Sequence, residues 1–497
     1  MHANANQLPA GATMTGFDIC IAGSGAAGIA MAQRLIGSSK KVLLLVNGSS
    51  TDAGPKPDEA LQQLYGGTLG PFMTRVDPNF LTRSRLNMYG GTTNHFSFNA
   101  RPLDAADLLP RPGYRSACWA LTMETLNPYY DAANEFGNYG PSNYNDLAFW
   151  GKVLNGEPFP PGDSLQSVIL HSQAHQAFYP CQARFGCALE AASNVTVLFQ
   201  AQVLAIAATP DNKTVTELRC AAIDNGERGV DFQVAAGSYV LALGGIEPVR
   251  LLKLSGNLGD NSKGHLGRGF MLHPLIASAA QVTFASPVDT RIQNFYTRQT
   301  VTLGGSITLD AWGAFAPTPE AMLREQMGAF HANLSFESGN IGINWESVPN
   351  ENSTITLDPN RVDPVFGQPV AHLDWQMQDT EKHTVVRGLE LLEQYLRSNG
   401  ASDFSLNTNL SGGPDQWTFS PDLSDPAALQ AGDHHMGALR MSASPGAGIV
   451  DADCKVHTLS NLHIAGSGVF PTTGHGNPTL TIVALALRLA DHLNAKP

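Results

Sequence analysis

Residues Phe17 to Ala22 read FDICIA, a nearly continuous apolar run, and the stretch IAMAQRL that starts at Ile29 spaces its apolar residues as a helix does. A second apolar run, KVLLLV, follows at Lys41 to Val46, so the chain opens as strand, helix, strand. Similar runs at Val195 to Phe199, Val203 to Ala207 and Phe232 to Leu243 predict further buried strands, and SYVLALGGIEPVRLL, Ser238 to Leu252, passes from strand through Gly244-Gly245 into a helix. The pattern changes in the middle of the chain. HANLSFES and STITLD alternate with period two, with a helix expected near Glu381 to Arg397, which predicts an antiparallel sheet with helices on one face. The expected fold class is therefore α/β: a Rossmann-like domain on a parallel sheet, with a second, α+β domain built on an antiparallel sheet. Pro- and Gly-rich tracts at Leu154 to Gly162 and Asp358 to Pro369 read as loops, one of them a candidate lid. No internal repeat is visible.

Between the first strand and its helix stands Gly23-Ser24-Gly25-Ala26-Ala27-Gly28. The first glycine permits a tight turn, the second lets backbone approach a pyrophosphate, and the third lets the helix pack on the strand. The helix N-terminus adds N–H groups and positive potential, so a dinucleotide is the expected ligand. One part is missing. The acidic residue that should follow the second strand and hold a ribose is replaced by Val46, Asn47 and Gly48, leaving either Asn47 or a residue elsewhere for that task.

Composition narrows the partners. The 497 residues carry 30 basic and 43 acidic side chains, a net charge of -13, which disfavours nucleic acid and anionic membrane. The apolar stretch Thr479 to Leu487 is about half of the ~20 residues a membrane helix needs, so no span is expected. The N-terminus lacks a basic start with an apolar core, and a cytoplasmic location is the expectation. Cys20, Cys118, Cys181, Cys187, Cys220 and Cys454 are scattered without CxxC or CxxCH, so neither a disulfide framework nor a covalent c-type haem is expected. No metal site is expected.

Four more segments carry chemistry. Gly90-Gly91-Thr92-Thr93-Asn94-His95-Phe96 follows a tract with Arg83 and Arg85; two glycines there let backbone pass close to a flat ring. The run through Gly244-Gly245 continues to Ser255-Gly256, and LGRGFMLHP spans Leu266 to Pro274. The C-terminus holds His434-His435-Met436-Gly437-Ala438-Leu439-Arg440-Met441 and then SGVFPTTGHGNPTLTIVALALRLADHL. Taken in order, these segments resemble the glucose-methanol-choline (GMC) oxidoreductases, and are most similar to the branch of pyranose oxidases and bacterial sugar and gluconate dehydrogenases. Three departures stand out: the absent acidic residue, Glu247 where Ser or Thr is common, and His435 in the place of a frequent Pro.

The resemblance implies bound FAD and hydride transfer from the carbinol carbon of a small polyol or sugar-like alcohol to flavin N5. It implies contacts to FAD from Gly23, Ser24, Gly25, Ala26 and Gly28, from Asn47, from Gly90, Gly91, Thr92, Asn94 and His95, from Val203, Gly244 and Gly466, and from Asn477, Pro478 and Thr479. His434, in H-x-x-G-x-x-x-M, takes the place of the base for the O–H proton, and Asn477 that of its hydrogen-bonding partner; a near-neutral pKa suits a His to this role. His475 is a candidate auxiliary donor, and adjacent His435 competes with His434. His273 reads as a structural residue or a backbone neighbour of the flavin. Asn-Pro-Thr also suits a helix start, with Asn477 as cap and Pro478 first in the helix, and both roles can hold at once. His95 falls where related oxidases attach the flavin covalently; non-covalent packing near the ring is the alternative. The FAD domain is expected from residues 1–105, 190–275 and 432–497, and the substrate domain from 106–189 and 276–431.

The partners expected are a small hydroxylated substrate and an electron acceptor, whether oxygen, a quinone or a protein. NFYTRQ, Asn294 to Gln299, and NWES, Asn344 to Ser347, read as segments able to bind a hydroxylated ligand. A competing function is a lyase or decarboxylase that uses the flavin non-oxidatively; retention of both His434 and Asn477 argues against it.

Overall fold

The computed structural model describes residues 1–49, 62, 66–95, 99–111, 114, 118–174, 180–260, 263–410, 417–420 and 422–496. Phe96 of the glycine-pair segment lies outside them.

The N-terminal strand Thr13–Ala22 lies between Val42–Leu45 and Glu227–Leu241, parallel to both. Val195–Phe199 and then His2–Asn4 extend the sheet on one side, and Leu462–Ile464 adds a parallel partner to Glu227–Leu241. The other edge is antiparallel, through Val215–Asp224 to Ala201–Ala208. All four residues of Val42–Leu45 are buried, as are the last four of Thr13–Ala22. Strands covered on both faces need continuous rather than alternating apolar residues, which is the sequence pattern at these positions. Helix Thr479–Ala495 packs against helices Ala26–Arg34 and Met123–Gly137. Arg34 ties the first two together with Nε 2.8 Å and Nη2 2.9 Å from the Asp491 carboxylate.

A second large sheet is antiparallel in every pairing, running Ala401–Leu406, Leu275–Phe284, Asn340–Trp345, Phe330–Leu334, Ile307–Pro317, Leu165–Gln173 and Asn99–Ala100. In Asn340–Trp345 the residues Ile341, Ile343 and Trp345 are buried and their neighbours are not, the alternation of a strand with one covered face. Helix Asp379–Ser398 packs on this sheet. The architecture is thus the expected α/β parallel-sheet layer with an antiparallel α+β partner. A small third sheet joins Met436–Ala438, Arg268–Met271, Thr354–Val362, Pro369–Asp374 and Gly67–Leu69, drawing distant parts of the chain together.

Several expectations change. Asp358 to Pro369 is not a loop: the strand continues to Val362, pairs there with Pro369, and leaves only residues 363–368 as a hairpin tip. The proline that suggested a loop, Pro359, falls where the ladder register shifts between Leu357 and Val362, and such an irregularity tolerates a missing N–H. The same strand shows that STITLD belongs to the small sheet and not to the large antiparallel one. NFYTRQ is not a ligand segment either. Phe295 and Tyr296 are buried in an aromatic cluster with Phe159 and Phe315. Among the described residues no helix is long and apolar enough to cross a membrane, and all six cysteines are free.

Candidate active site

The turn after the first strand begins at Gly23, whose φ of +105° is left-handed and whose added Cβ would stand 2.3 Å from the Ala242 carbonyl. A Cβ on Gly28 would stand 1.9 Å from the Gly23 carbonyl, so helix and turn touch backbone to backbone. Gly25, the N-cap of helix Ala26–Arg34, differs: nothing lies within 4 Å of its Cβ position. It faces a cavity of about 610 Å³, lined also by Gly23, Ser24 and Ala26. That size suits a small-molecule or cofactor site.

The walls of this cavity collect residues that are far apart in sequence. Asn47 and Val203 stand at one end; Gly91, Thr92 and His95 form another wall, and Gly244, Gly466, Asn477, Pro478 and Thr479 complete it. Gly28, Gly90 and Asn94 do not line it but build its turns: Asn94 Nδ2 donates to the carbonyls of Tyr89 and Gly91 at 2.9 and 2.8 Å. Asn47 donates its Nδ2 to Gln202, and its buried Oδ1 has no partner. An orphaned acceptor at the end of the second strand suits a ribose hydroxyl, and it stands close to where the acidic residue was expected. The open space at Gly25, the positive helix end behind it and this acceptor together fit FAD.

Sequence reasoning missed a chain of charges on the same cavity. Arg85 donates to Glu247 at 3.0 Å, Arg250 to Glu247 at 3.4 Å, and Arg250 to Asp363 at 3.2 Å. The departure at Glu247 was its one sequence signal: the carboxylate stands between two arginines. Asp363 also receives the N–H groups of Val365, Phe366 and Gln368, fixing the hairpin tip, and Phe366 and Gln368 line the cavity.

His434 and His435 both line the cavity, but their surroundings differ. The His435 ring lies 5.2 Å from that of Phe80 and 6.5 Å from that of Phe270. Its Nε2 is 2.8 Å from Ser84 Oγ; that hydroxyl donates to the Phe80 carbonyl, so it accepts from His435. His435 is held as a packing residue. Asp433 before it is anchored by both Nη atoms of Arg83, at 2.7 and 2.6 Å. His434 Nδ1 meets His273 Nδ1 at 3.0 Å, and His273 Nε2 donates to the Gly474 carbonyl at 2.9 Å. Burial, and then the nearby His331, push the His434 pKa down to about 4, below the near-neutral value expected from its residue type. The ring is neutral at neutral pH.

Asn477 lines the cavity with His434 but does not cap the helix. Pro478 has φ −73° and ψ −15°, already near helical values, so it occupies the cap position and no side chain bonds the first turn. His475 is placed elsewhere: it lines a second cavity of about 280 Å³ with Arg101 and Asp104, its Nε2 3.4 Å from Asp104 Oδ2. The NWES segment is not ligand-facing. Trp345, Glu346 and Ser347 are fully buried, and Glu346 receives Arg111 at 2.7 and 2.6 Å, Tyr114 at 2.9 Å, and the N–H groups of Ala329 and Gly474 at 3.1 and 3.0 Å. Among the described residues no cluster of His, Cys, Asp or Glu is arranged to hold a metal ion.

A parallel sheet with a glycine cradle opens on a cavity that carries a histidine and an asparagine and whose lining includes Asn99 of the antiparallel sheet. Residues 349–486 match the GMC oxidoreductase C-terminal family model. The chain is 22% identical to 2-methyl-1,2-propanediol dehydrogenase of Mycolicibacterium austroafricanum over 96% of its own length and 95% of that protein. It is 23% identical to paromamine 6'-oxidase of Streptomyces fradiae, covering 95% and 90%. A stretch of 66 residues, 13% of each chain, is 46% identical to C-glycoside 3-oxidase of Microbacterium trichothecenolyticum. Among solved structures, formate oxidase aligns with a TM-score of 0.61 at 15% identity, covering 98% of this chain and 99% of that one. Pyridoxine 4-oxidase from Mesorbium loti aligns at 0.58 and 16%, covering 96% and 99%. Residues 349–486 thus resemble the C-terminal part of the GMC oxidoreductases, and the fold of the whole chain is like theirs.

Proposed function

We propose that this chain oxidises the carbinol carbon of a small polyol or sugar-like alcohol to a carbonyl, with His434 as base and Asn477 as its partner. The observation that carries this is the pair of contacts made by His273, from which the tautomer of His434 follows. His273 Nε2 donates to a carbonyl, so its Nδ1 is an acceptor; His434 Nδ1–H must be the donor, and the Nε2 of His434 keeps its lone pair. That nitrogen takes the alcohol proton. Asn477, on the same cavity, offers both a donor and an acceptor to the substrate oxygen. Bound FAD supplies the hydride acceptor. Gly25, Asn47 and the helix N-terminus at Ala26 would hold its nucleotide part, and His95, which lines the same cavity, is the candidate for a covalent link.

Relatives that act on a 1,2-diol, on paromamine and on a C-glycoside favour a hydroxylated substrate over a long-chain alcohol. The test is anaerobic mixing of the FAD-loaded protein with a panel of D-glucose, 1,2-propanediol and pyridoxine. At least one bleaches the flavin, and His434→Ala retains FAD but reduces it about 10²- to 10⁴-fold more slowly. Absence of bleaching by any polyol, or a variant as fast as the parent, would refute the assignment.

A further inference from the structure

We infer that His273 is a positioning residue that fixes the tautomer of His434, and that the buried Arg111–Glu346 pair anchors it through Gly474. The inference rests on His434 being the base. His273 is fully buried, and its ring stands at 90° to that of His434 with centroids 5.0 Å apart, so each presents an edge nitrogen to the other. A carbonyl only accepts, so the hydrogen on His273 Nε2 is committed to Gly474. Burial pushes the His273 pKa down to about 3, which leaves no second hydrogen for its Nδ1. The contact of two Nδ1 atoms at 3.0 Å is then a hydrogen bond in one direction only, from His434 to His273.

The residue whose carbonyl sets this direction is held on both sides. The Gly474 N–H, in the peptide group before that carbonyl, donates to Glu346 Oε1 at 3.0 Å beside that of Thr473 at 3.3 Å, Arg111 grips both oxygens of Glu346, and Thr473 Oγ1 donates to the carbonyl itself at 3.3 Å. Gly474 has φ +57°, and an added Cβ would lie 2.6 Å from Asp107 Oδ2. From Arg111 to His434 the contacts thus form one connected series. It also ends there. When the alcohol O–H bond breaks and an N–H bond forms on His434 Nε2, the imidazolium keeps donating Nδ1–H to His273. His273 cannot relay a proton, because its other nitrogen already donates to a carbonyl, so the proton leaves His434 only from the cavity side.

The holoenzyme labelled with ¹⁵N-histidine tests this by long-range ¹H–¹⁵N spectra, with the His434 signals assigned from His434→Asn. The expected result is a protonated Nδ1 and an unprotonated Nε2 on His434. His273→Gln, whose amide can donate to Gly474 and accept from His434, preserves that pattern, while His273→Leu moves the hydrogen toward Nε2. With FAD binding unchanged, flavin reduction falls about 10- to 100-fold in His273→Leu and stays within about threefold in His273→Gln. A wild-type His434 protonated on Nε2, or a His273→Leu variant with unaltered tautomer and rate, overturns the inference. If His434→Asn still reduced its flavin at full rate, the base assignment would fail while the tautomer result stood, which separates the two claims.

Discussion

Lowering the pH from 6.5 to 4.5 will destabilise this protein steeply, because it buries histidines as neutral rings. His171, His273 and His463 are completely buried and His331 nearly so. Burial pushes the first three down to about 3 and His331 well below its ordinary value. Each is neutral in the fold and protonated in the unfolded chain below about 6.5, so its stabilising contribution is complete above that pH and is lost as pH falls toward the folded value. Two carboxyl groups work the other way. Burial raises Asp107 to about 7 and Glu381 to about 8, so these are protonated in the fold and ionised when unfolded across this window, and their contribution is present at low pH and lost as pH rises. Among these six groups, four protons taken up and two released leave a net uptake of about two on unfolding, and buried His434 and His435 add to it in the same direction, so the slope is at least roughly 2.7 kcal/mol per pH unit. Over two units that is about 5 kcal/mol, comparable with the whole stability of many proteins. Urea midpoints measured every half unit from pH 4.5 to 7.5 will read the slope. His171 makes a clean control: it stacks on Tyr144 with ring centroids 4.1 Å apart, and its Nε2 has no partner. His171→Phe should flatten the slope by about 1.4 kcal/mol per pH unit. A midpoint unchanged or rising as pH falls from 6.5 to 4.5 refutes the accounting.

Gly25→Ala and Gly28→Ala should separate cofactor binding from folding. The first places a Cβ in the open cavity, so the thermal midpoint of the flavin-free protein is unchanged while FAD affinity, read by flavin fluorescence titration, falls; the second drives a Cβ against the Gly23 carbonyl and costs about 1–3 kcal/mol of stability as well. Glu346→Gln leaves the buried Arg111 without its carboxylate and should cost about 3–5 kcal/mol, a fall in melting temperature of about 3–5 °C by scanning fluorimetry.

What the sequence revealed follows the range of the interactions concerned. The glycine turn was legible because strand, turn and helix are contiguous, and Gly23 and Gly28 each answer a contact within a few residues or with the adjacent strand while Gly25 leaves open space. The parallel strands were legible because burial on both faces leaves an unbroken apolar run. Asp358 to Pro369 was misread because a proline usually ends a strand, and only the register of the paired strand shows that it sits at an irregularity. NWES was misread for a related reason. A polar run suits a ligand site or a buried ion pair equally well, and Arg111, which decides between them, is 235 residues away. The His434–His273 contact spans 161 residues, and nothing local to either histidine announces it.

On the role proposed for His434, acid sensitivity and basic function have one origin. A base that is buried deeply enough to be neutral at physiological pH needs no deprotonation before each turnover, and burial next to a second neutral imidazole fixes which nitrogen stays free. The same burial makes a protonated ring costly. For His434 in the proposed role of base this would be functional, since a proton held by a weak base is readily given up again to whatever occupies the cavity. For His171 and His463, which do not line the cavity, it only lowers acid stability. Substituting those two should therefore widen the pH range of stability without moving the pH dependence of flavin reduction, whereas substituting His273 should alter His434 itself. Surrounding the proposed base with neutral histidines rather than a carboxylate keeps its proton affinity low, and the hydrogen bonds that link it to the buried Glu346 run through His273 and Gly474.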